Sequence, residues 1–253
     1  MNETPIAWTD YTWNPVTGCT KVSLGCDNCY AEALSQRFGR SFEVQIHPER
    51  LAQVRKIPAG KRVFVNSMSD FFHQGIPKDF RDAVIQYMGA RPDVEFQVLT
   101  KRPQNAFRLN LHQFPPNIRW GVSVENQDHL WRIREAVIQQ FPRLFVSFEP
   151  LLGPIDLPPE LRRALDWAII GGESGPHRRP MNPEWAINLT KNLKDGGIPV
   201  FIKQMGGLRP GGNLETFPPE LRVREFPAAI AMHREATAFI ESEKVAKRAE
   251  GKA

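Results

Sequence analysis

Six short apolar runs, each ending in polar residues, do most to restrict the folds open to this chain. They are Arg62–Asp70, Phe96–Arg102, Trp120–Asn126, Leu144–Pro150, Trp167–Ser174 and Val200–Met205. Their starts lie roughly 23 to 34 residues apart, the repeat expected of strand–helix units. Near-continuous apolar strands are buried on both faces, which is the habit of a parallel sheet. The segments between them carry helical stripes: Phe80, Ala83, Val84, Tyr87 and Met88 in one, and Leu130, Ile133, Val137 and Phe141 in another. A further helix is expected to open at Asn182-Pro183-Glu184, a cap with proline in the first turn, and to stop at Gly196-Gly197. The opening segment Ile6–Pro15 is rich in β-formers and reads as a strand, with Trp8 and Trp13 as core residues. About seven units then point to an α/β fold, a single parallel βα barrel that is partial or nearly complete.

The expected boundaries are a barrel over residues 1–227, with a closing loop at 206–227, and a C-terminal helical tail at 228–253. The loop is rich in glycine and proline, and the tail is charged. No apolar run is long enough to span a membrane, and the N-terminus lacks the basic-then-apolar pattern of a secretory signal. Together with reduced cysteines, this points to the cytoplasm. Lys and Arg number 33 against 28 Asp and Glu, a net charge of +5, which mildly favours a polyanionic partner.

All the cysteines fall in one stretch, Cys19, Cys26 and Cys29, spaced C-x6-C-x2-C. An odd, clustered set in a chain this long is not a disulfide scaffold. Three thiolates suit a four-iron, four-sulfur cluster with one iron left open. Zinc with a distant fourth ligand such as His47 and a set of buried reduced thiols are the other readings. Tyr30, Leu34 and Phe38 recur every fourth residue before Gly39, so a helix should follow the cysteines. Its N-terminal N–H groups would favour thiolate charge. His73, His112, His129 and His233 have no metal-helix spacing and read as structural.

The strand ends carry Ser67, Ser69 and Asp70, then Lys101, Ser123 with Glu125, Glu149, Glu173 and Lys203. In a parallel barrel such positions face the C-terminal mouth. Buried charges converging there are costly unless they pair with each other or with a ligand. Gly171-Gly172 lacks the full dinucleotide fingerprint, but it suits close approach of backbone to a ligand. His177-Arg178-Arg179 could hold an anion, and Phe71, Phe72 and Trp120 could stack a base or fill the core.

Taken together, the cysteine loop after the first strand of a βα repeat resembles that of radical S-adenosylmethionine enzymes. Trp8-Thr9-Asp10 through Asn14-Pro15, the G-C-x6-C-x2-C-Y-A loop, Thr100-Lys101-Arg102-Pro103, Phe148-Glu149-Pro150 and Gly171-Gly172-Glu173-Ser174 more closely resemble the phage-associated three-cysteine-motif family, whose activity is not established. The resemblance implies a radical-enzyme barrel whose three cysteines hold a [4Fe-4S] cluster that opens S-adenosylmethionine to a 5′-deoxyadenosyl radical. By the same analogy Ser69, Asp70, Ser123 and Glu125 would hold that cofactor, with Ser67 and Lys101 beside them. Glu149, Glu173 and Lys203 are the expected catalytic groups. An electron donor for the cluster and a nucleic-acid substrate are the expected partners; the alternative is a zinc-stabilised adaptor with no enzymatic role. Radical enzymes usually space the first two cysteines by three residues, where this chain has six. They commonly place an aromatic residue before the third cysteine, where this chain has Asn28.

Overall fold

The computed structural model describes residues 2–106 and 115–228; the expected tail, His112 and His233 lie outside them. One eight-stranded sheet organises the chain. Its strands, in spatial order, are β1 (Asn2–Glu3), β2 (Tyr11–Trp13), β5 (Arg62–Val65), β6 (Glu95–Thr100), β7 (Ile118–Ser123), β8 (Phe145–Phe148), β9 (Trp167–Gly171) and β10 (Val200–Gln204). From β2 to β10 every neighbouring pair is parallel, and β1 is antiparallel to β2. A small antiparallel pair, β3 (Val16–Thr17) and β4 (Gln45–Ile46), stands beside it. The opening strand is much shorter than its β-forming composition implied. Residues 7 and 8 instead make a turn, because Trp8 is needed inside the curl.

The sheet is curled, and Trp8 is the evidence. Its ring lies 4.7 Å from Phe64 on β5, 6.4 Å from Phe145 on β8 and 6.2 Å from Trp167 on β9. Strands three apart in a flat sheet are separated by about 14 Å, too far for one indole to touch both Phe64 and Phe145. The concave face therefore closes around Trp8, with Ile169 and Phe201 completing this inner apolar floor.

Alternation then sorts the faces. Phe145, Ser147 and Glu149 rise in turn on the concave side, as do Phe201 and Lys203, so the interior passes from aromatic floor to charged mouth. The opposite face carries Val63, Val65, Phe96, Val98, Trp120, Val122, Val146, Ala168 and Ile170, all in the main core. Helices cover it: α2 (Lys78–Gly89) buries Phe80, Val84, Ile85 and Met88; α3 (Trp131–Ile138) buries Ile133 and Ala136; α5 (Pro183–Asp195) buries Ala186, Leu189 and Leu193. The short α4 spans Pro159–Arg162. Helix α5 starts as its sequence dictates, with Asn182 Oδ1 accepting from the Glu184 N–H at 3.0 Å. It ends at Gly196, followed by Gly197 at φ +73°.

Phe71, Phe72 and Trp120 are fully buried against one another, with ring centroids 5.3 to 5.9 Å apart. They are core residues and present no surface to a base. The segment from Gly206 onwards turns back along the free edge of β10, where Ile202 N–H donates to Val223 O and Glu225 N–H to Val200 O. Phe226 then packs on Trp167 and Phe201 at the floor. This covers an edge that would otherwise offer unpaired backbone groups.

Two substitutions probe this interior. Trp8→Ala should lower unfolding free energy in urea by about 3–5 kcal/mol, the usual cost of emptying a large aromatic site. Gln97 is fully buried on the same concave face, with neither amide atom bonded to the protein. Gln97→Met, which keeps the volume and removes the amide, should leave stability unchanged or raise it by about 1–2 kcal/mol.

Candidate functional site

The mouth begins at the turn after β5. Asn66 sits at φ 59°, a left-handed position that asparagine tolerates, and the chain reverses into Ser67–Asp70. Ser67 Oγ donates to Asn14 Oδ1 (3.2 Å) and Ser69 Oγ to Val16 O (3.2 Å). The buried Asp70 ties this turn to the end of β6. Its Oδ1 accepts from Thr100 Oγ1 (2.6 Å) and Phe72 N (2.9 Å), and its Oδ2 from Lys101 N (2.9 Å) and Arg102 Nη1 (3.2 Å). A carboxylate has about four lone-pair sites, and the chain itself takes them. Arg102, thus anchored, reaches the cysteine loop: it donates to Thr20 O (2.7 Å), Thr20 Oγ1 (2.8 Å) and Cys19 Sγ (3.4 Å).

Glu125 is the second anchor. Its side chain is 1% exposed and pairs with Arg132 Nη1 (2.6 Å) and Lys101 Nζ (2.5 Å). Ser23 Oγ donates to its Oε1 at 2.8 Å, and Lys101 Nζ donates to Gly25 O at 3.1 Å. Gly25 packs directly on this carboxylate, so any Cβ there would overlap Glu125. Burial by itself would push the Glu125 carboxyl up, but Lys101 and Arg132 outweigh it and hold it below its ordinary value.

Glu173, after β9, makes the third. It accepts from Arg179 Nη2 (2.6 Å), Nε (3.1 Å) and backbone N (2.8 Å), and from Asn28 Nδ2 (2.9 Å). Arg179 Nη2 also donates to Leu24 O at 2.8 Å, and its Nη1 pairs with Asp27 at 3.5 Å. Here too burial works upwards, and the Arg179 bonds lower the carboxyl overall. Glu149 and Lys203 form a fourth pair at 2.9 Å, with Ser147 Oγ donating to Glu149 at 3.1 Å. Glycine at 171 makes room for this carboxylate, since a Cβ would stand 2.6 Å from Glu149 Oε1. At Gly172 it would meet Met205 O at 2.5 Å. The glycine pair thus admits a side chain and the neighbouring strand. Ser123 is buried and gives its carbonyl to Arg132.

Four of the expected mouth residues therefore join contacts around one loop, with Arg102 and Arg179 as their partners: Asp70 and Lys101 with Arg102 on one side, Glu125 beneath Ser23 and Gly25, and Glu173 with Arg179 against Leu24 and Asn28. Ser23, Thr20, Asn28 and Arg132 escaped sequence reading. Arg132 alone carried a signal, a charged residue between the apolar stripe positions Leu130 and Ile133.

Cys19, Cys26 and Cys29 are free and half-buried, and Cys29 is the N-cap of α1 (Tyr30–Arg37). Burial and the nearby Asp70 push the Cys19 thiol up, against the pull of Arg102. Among the described residues, no three Cys, His, Asp or Glu side chains are drawn into a single ligand set. The nearby imidazoles are engaged elsewhere: His47 with Thr17 Oγ1 (2.8 Å) and Glu49 (3.3 Å), and His73 with Thr20 Oγ1 (3.0 Å) and the Gly75 N–H (3.0 Å). Three thiols, with no fourth protein ligand beside them among the described residues, match the donor number of an iron–sulfur cluster with one open iron and fall short of a structural zinc set.

Over residues 3–253 the chain matches the family described as Protein of unknown function (DUF5131). No curated protein matches its sequence. Solved structures of spore photoproduct lyase are similar at low identity. One point mutant aligns with TM-score 0.49 and 16% identity over 67% of this chain and 57% of its own length. A second gives 0.49 and 15% over 77% and 62%. A third, with bound AdoMet and dinucleoside spore photoproduct, gives 0.47 and 16% over 67% and 57%. The chain thus spans about three-fifths of the lyase chains it matches.

Glu125→Gln should destabilise the protein by about 3–5 kcal/mol at neutral pH, because Arg132 is left buried without its counter-charge. The folded-state carboxyl lies below its unfolded value, so its contribution is complete above the unfolded carboxylate range. It is lost as pH falls through the lower folded value. In urea melts across pH, the wild-type advantage should hold from neutrality into the mildly acidic range and shrink below it; a constant gap would contradict this.

Proposed function

We propose that this chain, which belongs to the family described as Protein of unknown function (DUF5131), is an iron–sulfur enzyme that works on S-adenosylmethionine at the mouth of a parallel half-barrel. One observation carries the reading. The chain's three thiols sit on one loop, and buried carboxylates at the ends of three strands hold that loop over the mouth. Cys19, Cys26 and Cys29 would be the ligands of a [4Fe-4S] cluster. When bound, such a cluster supplies one reducing electron and an open iron that a sulfonium amino acid can ligate.

The side chains of the mouth divide the remaining work. Ser67 and Ser69 spend their hydroxyls on Asn14 and Val16, and Asp70 acts by positioning Lys101 and Arg102. Arg102 offsets thiolate charge at Cys19. Glu125, buried with its oxygens taken by Lys101, Arg132 and Ser23, acts in the same way by seating the loop and positioning Lys101; Lys101 and Ser123 would orient the amino and ribose groups of the cofactor. Glu149 with Lys203, and Glu173 with Arg179, would be the groups that hold or move a proton on substrate. The aromatic floor around Trp8 closes the far end against water. No helix among the described residues is long and apolar enough to cross a membrane, and reduced thiols suit the cytoplasm.

The substrate we assign is anionic, with nucleic acid foremost. Lys101, Arg102, Arg179 and Lys203 already have carboxylate partners. That leaves the exposed His177, Arg178 and Arg209, on loops joined by the Ser174–Gly207 bridge, together with the net charge of +5.

Anaerobic reconstitution with iron and sulfide should give a brown, oxygen-sensitive protein whose paramagnetic resonance spectrum changes on adding S-adenosylmethionine. Alanine at any one of the three cysteines should remove the chromophore. Stoichiometric zinc without iron after anaerobic preparation would sink the reading and favour a zinc-stabilised adaptor. In filter binding to single- and double-stranded DNA and RNA, affinity should fall with salt at a log–log slope of about −0.7 to −0.9 per phosphate contacted. Arg178→Ala should flatten that slope by about one contact; a salt-insensitive result points instead to a neutral substrate.

A further inference from the structure

Two loops beside the mouth are built as one surface. Ser174 bridges to Gly207, and the Gly175 N–H donates to Gly207 O at 2.9 Å. Neither segment, 174–182 or 205–214, contains an acidic residue. Between them they expose His177, Arg178 and Arg209. Arg178 Nη1 donates to Gly175 O at 3.3 Å, and neither Arg178 nor Arg209 has a carboxylate partner among the described residues. Glu215, the next acid along the chain, pairs with Arg222 at 3.5 Å. Asn28 Nδ2 donates to His177 O at 2.9 Å, which fixes this surface against the cysteine loop.

The second loop forms a clamped arch. Its sequence, Gly206-Gly207-Leu208-Arg209-Pro210-Gly211-Gly212, sets three side chains between two glycine pairs. Gly206, Gly211 and Gly212 lie at φ +104°, +92° and +142°, where a residue with a Cβ is strained. The buried Gln204 holds the arch from below. Its Oε1 accepts from the Gly211 N–H at 2.8 Å, and its Nε2 donates to Gly172 O at 2.6 Å. Leu208 stands on this arch 68% exposed. A single exposed leucine is ordinary. One held between arginines that have no counter-charge, on a loop whose flanks carry no side chains, is placed to enter something narrow and anionic.

The minor groove of B-form DNA is about 6 Å wide, narrower than a helix. Its negative potential draws arginine, most strongly where A·T runs narrow it further. Proteins that enter it frequently set an apolar side chain against a base step. The minor groove of an RNA duplex is wide and shallow and offers no such slot. We propose that Leu208, Arg209 and Pro210 enter the minor groove of duplex DNA, with Arg209 along the base edges, Leu208 against a base step and Arg178 on a phosphate of the groove wall. The inference rests on the nucleic-acid reading above and narrows it to duplex DNA held from its minor groove. Binding of this kind needs no cluster.

The test uses the full chain with reduced thiols and labelled oligonucleotides, with binding read by fluorescence anisotropy across a salt series. A·T-rich duplex DNA should bind at least about tenfold more tightly than G·C-rich duplex DNA or duplex RNA. Netropsin, which fills the minor groove, should displace the protein, and methyl green, which fills the major groove, should not. Arg209→Gln should weaken binding to the A·T-rich duplex at least about tenfold and remove the preference for it. Arg178→Gln should weaken binding to every duplex alike and flatten the salt slope by about one contact. Both are mild changes at exposed positions. Lys191→Gln, on α5, should bind as wild type does. Equal binding to duplex RNA, displacement by methyl green and not by netropsin, or an Arg209→Gln chain that binds as wild type does would overturn the arch and leave a nucleic-acid substrate in place. A chain with no salt-sensitive binding to any oligonucleotide would remove the nucleic-acid reading, and the arch with it.

Discussion

A fully buried carboxylate, Glu125, holds the mouth together. Removing a carboxylate from water is expensive unless strong partners replace the lost hydration. Here two cations and a serine hydroxyl do so: Arg132 from α3, Lys101 from the end of β6 and Ser23 from the cysteine loop. One side chain thus joins a helix of the outer layer, a strand end and a loop that has little regular structure of its own. The glycine at position 25 follows from the same contact, because only a residue without a Cβ can lie on that carboxylate. Asp70 and Glu173 repeat the arrangement on either side. A loop fastened at three points can keep three thiols half-exposed without a disulfide.

The floor and the mouth are two consequences of one alternation. Along β8 the concave positions read Phe145, Ser147, Glu149, and along β10 Phe201, then Lys203. The curl that gathers Phe64, Phe145 and Trp167 around Trp8 also brings the next rows of the same strands together. Convergence of charge at the top is therefore enforced by convergence of aromatics at the bottom. Glu149 and Lys203 belong to strands on either side of β9 and meet over the bare Gly171; without the curl, Glu125 and Glu173 could not share one loop.

These features were unequally legible in the sequence. Strands announced themselves because burial on both faces leaves uninterrupted apolar runs, and the ends of α5 because caps are local chemistry at Asn182 and Gly196. The strand-end list was legible for the same reason: the first polar residue after an apolar run must lie near the mouth. What could not be read was who partners whom. Asp70 looked like a cofactor ligand, yet its oxygens are taken by Thr100, Phe72, Lys101 and Arg102, contacts about 30 residues away or within one turn. Arg132 shows in the sequence only as a charge between Leu130 and Ile133, and Asn28 not at all, since their meaning lies in Glu125 and Glu173. The opening strand shrank because Trp8 serves the floor, a tertiary demand that overrides local β preference.

Helix α1 forms where the sequence placed it, over Tyr30–Arg37, and is instructive for what its repeat leaves unsaid. Tyr30, Leu34 and Phe38 recur every fourth residue, which ordinarily marks the buried stripe. The helix is short and follows the cysteine loop across the mouth, so it meets the barrel through Ala31 and Ser35, whose small side chains allow close approach. Larger groups on that face would lift the loop from Glu125 and Glu173, and Leu34 and Phe38 are left on the outside as a result, while the Tyr30 hydroxyl reaches in to Ser67 O. The same constraint that seats the thiols over the mouth therefore leaves apolar side chains on the outside of the helix that follows them. Periodicity shows that a helix has an apolar side; only the packing of its neighbours shows which members of that side face the core.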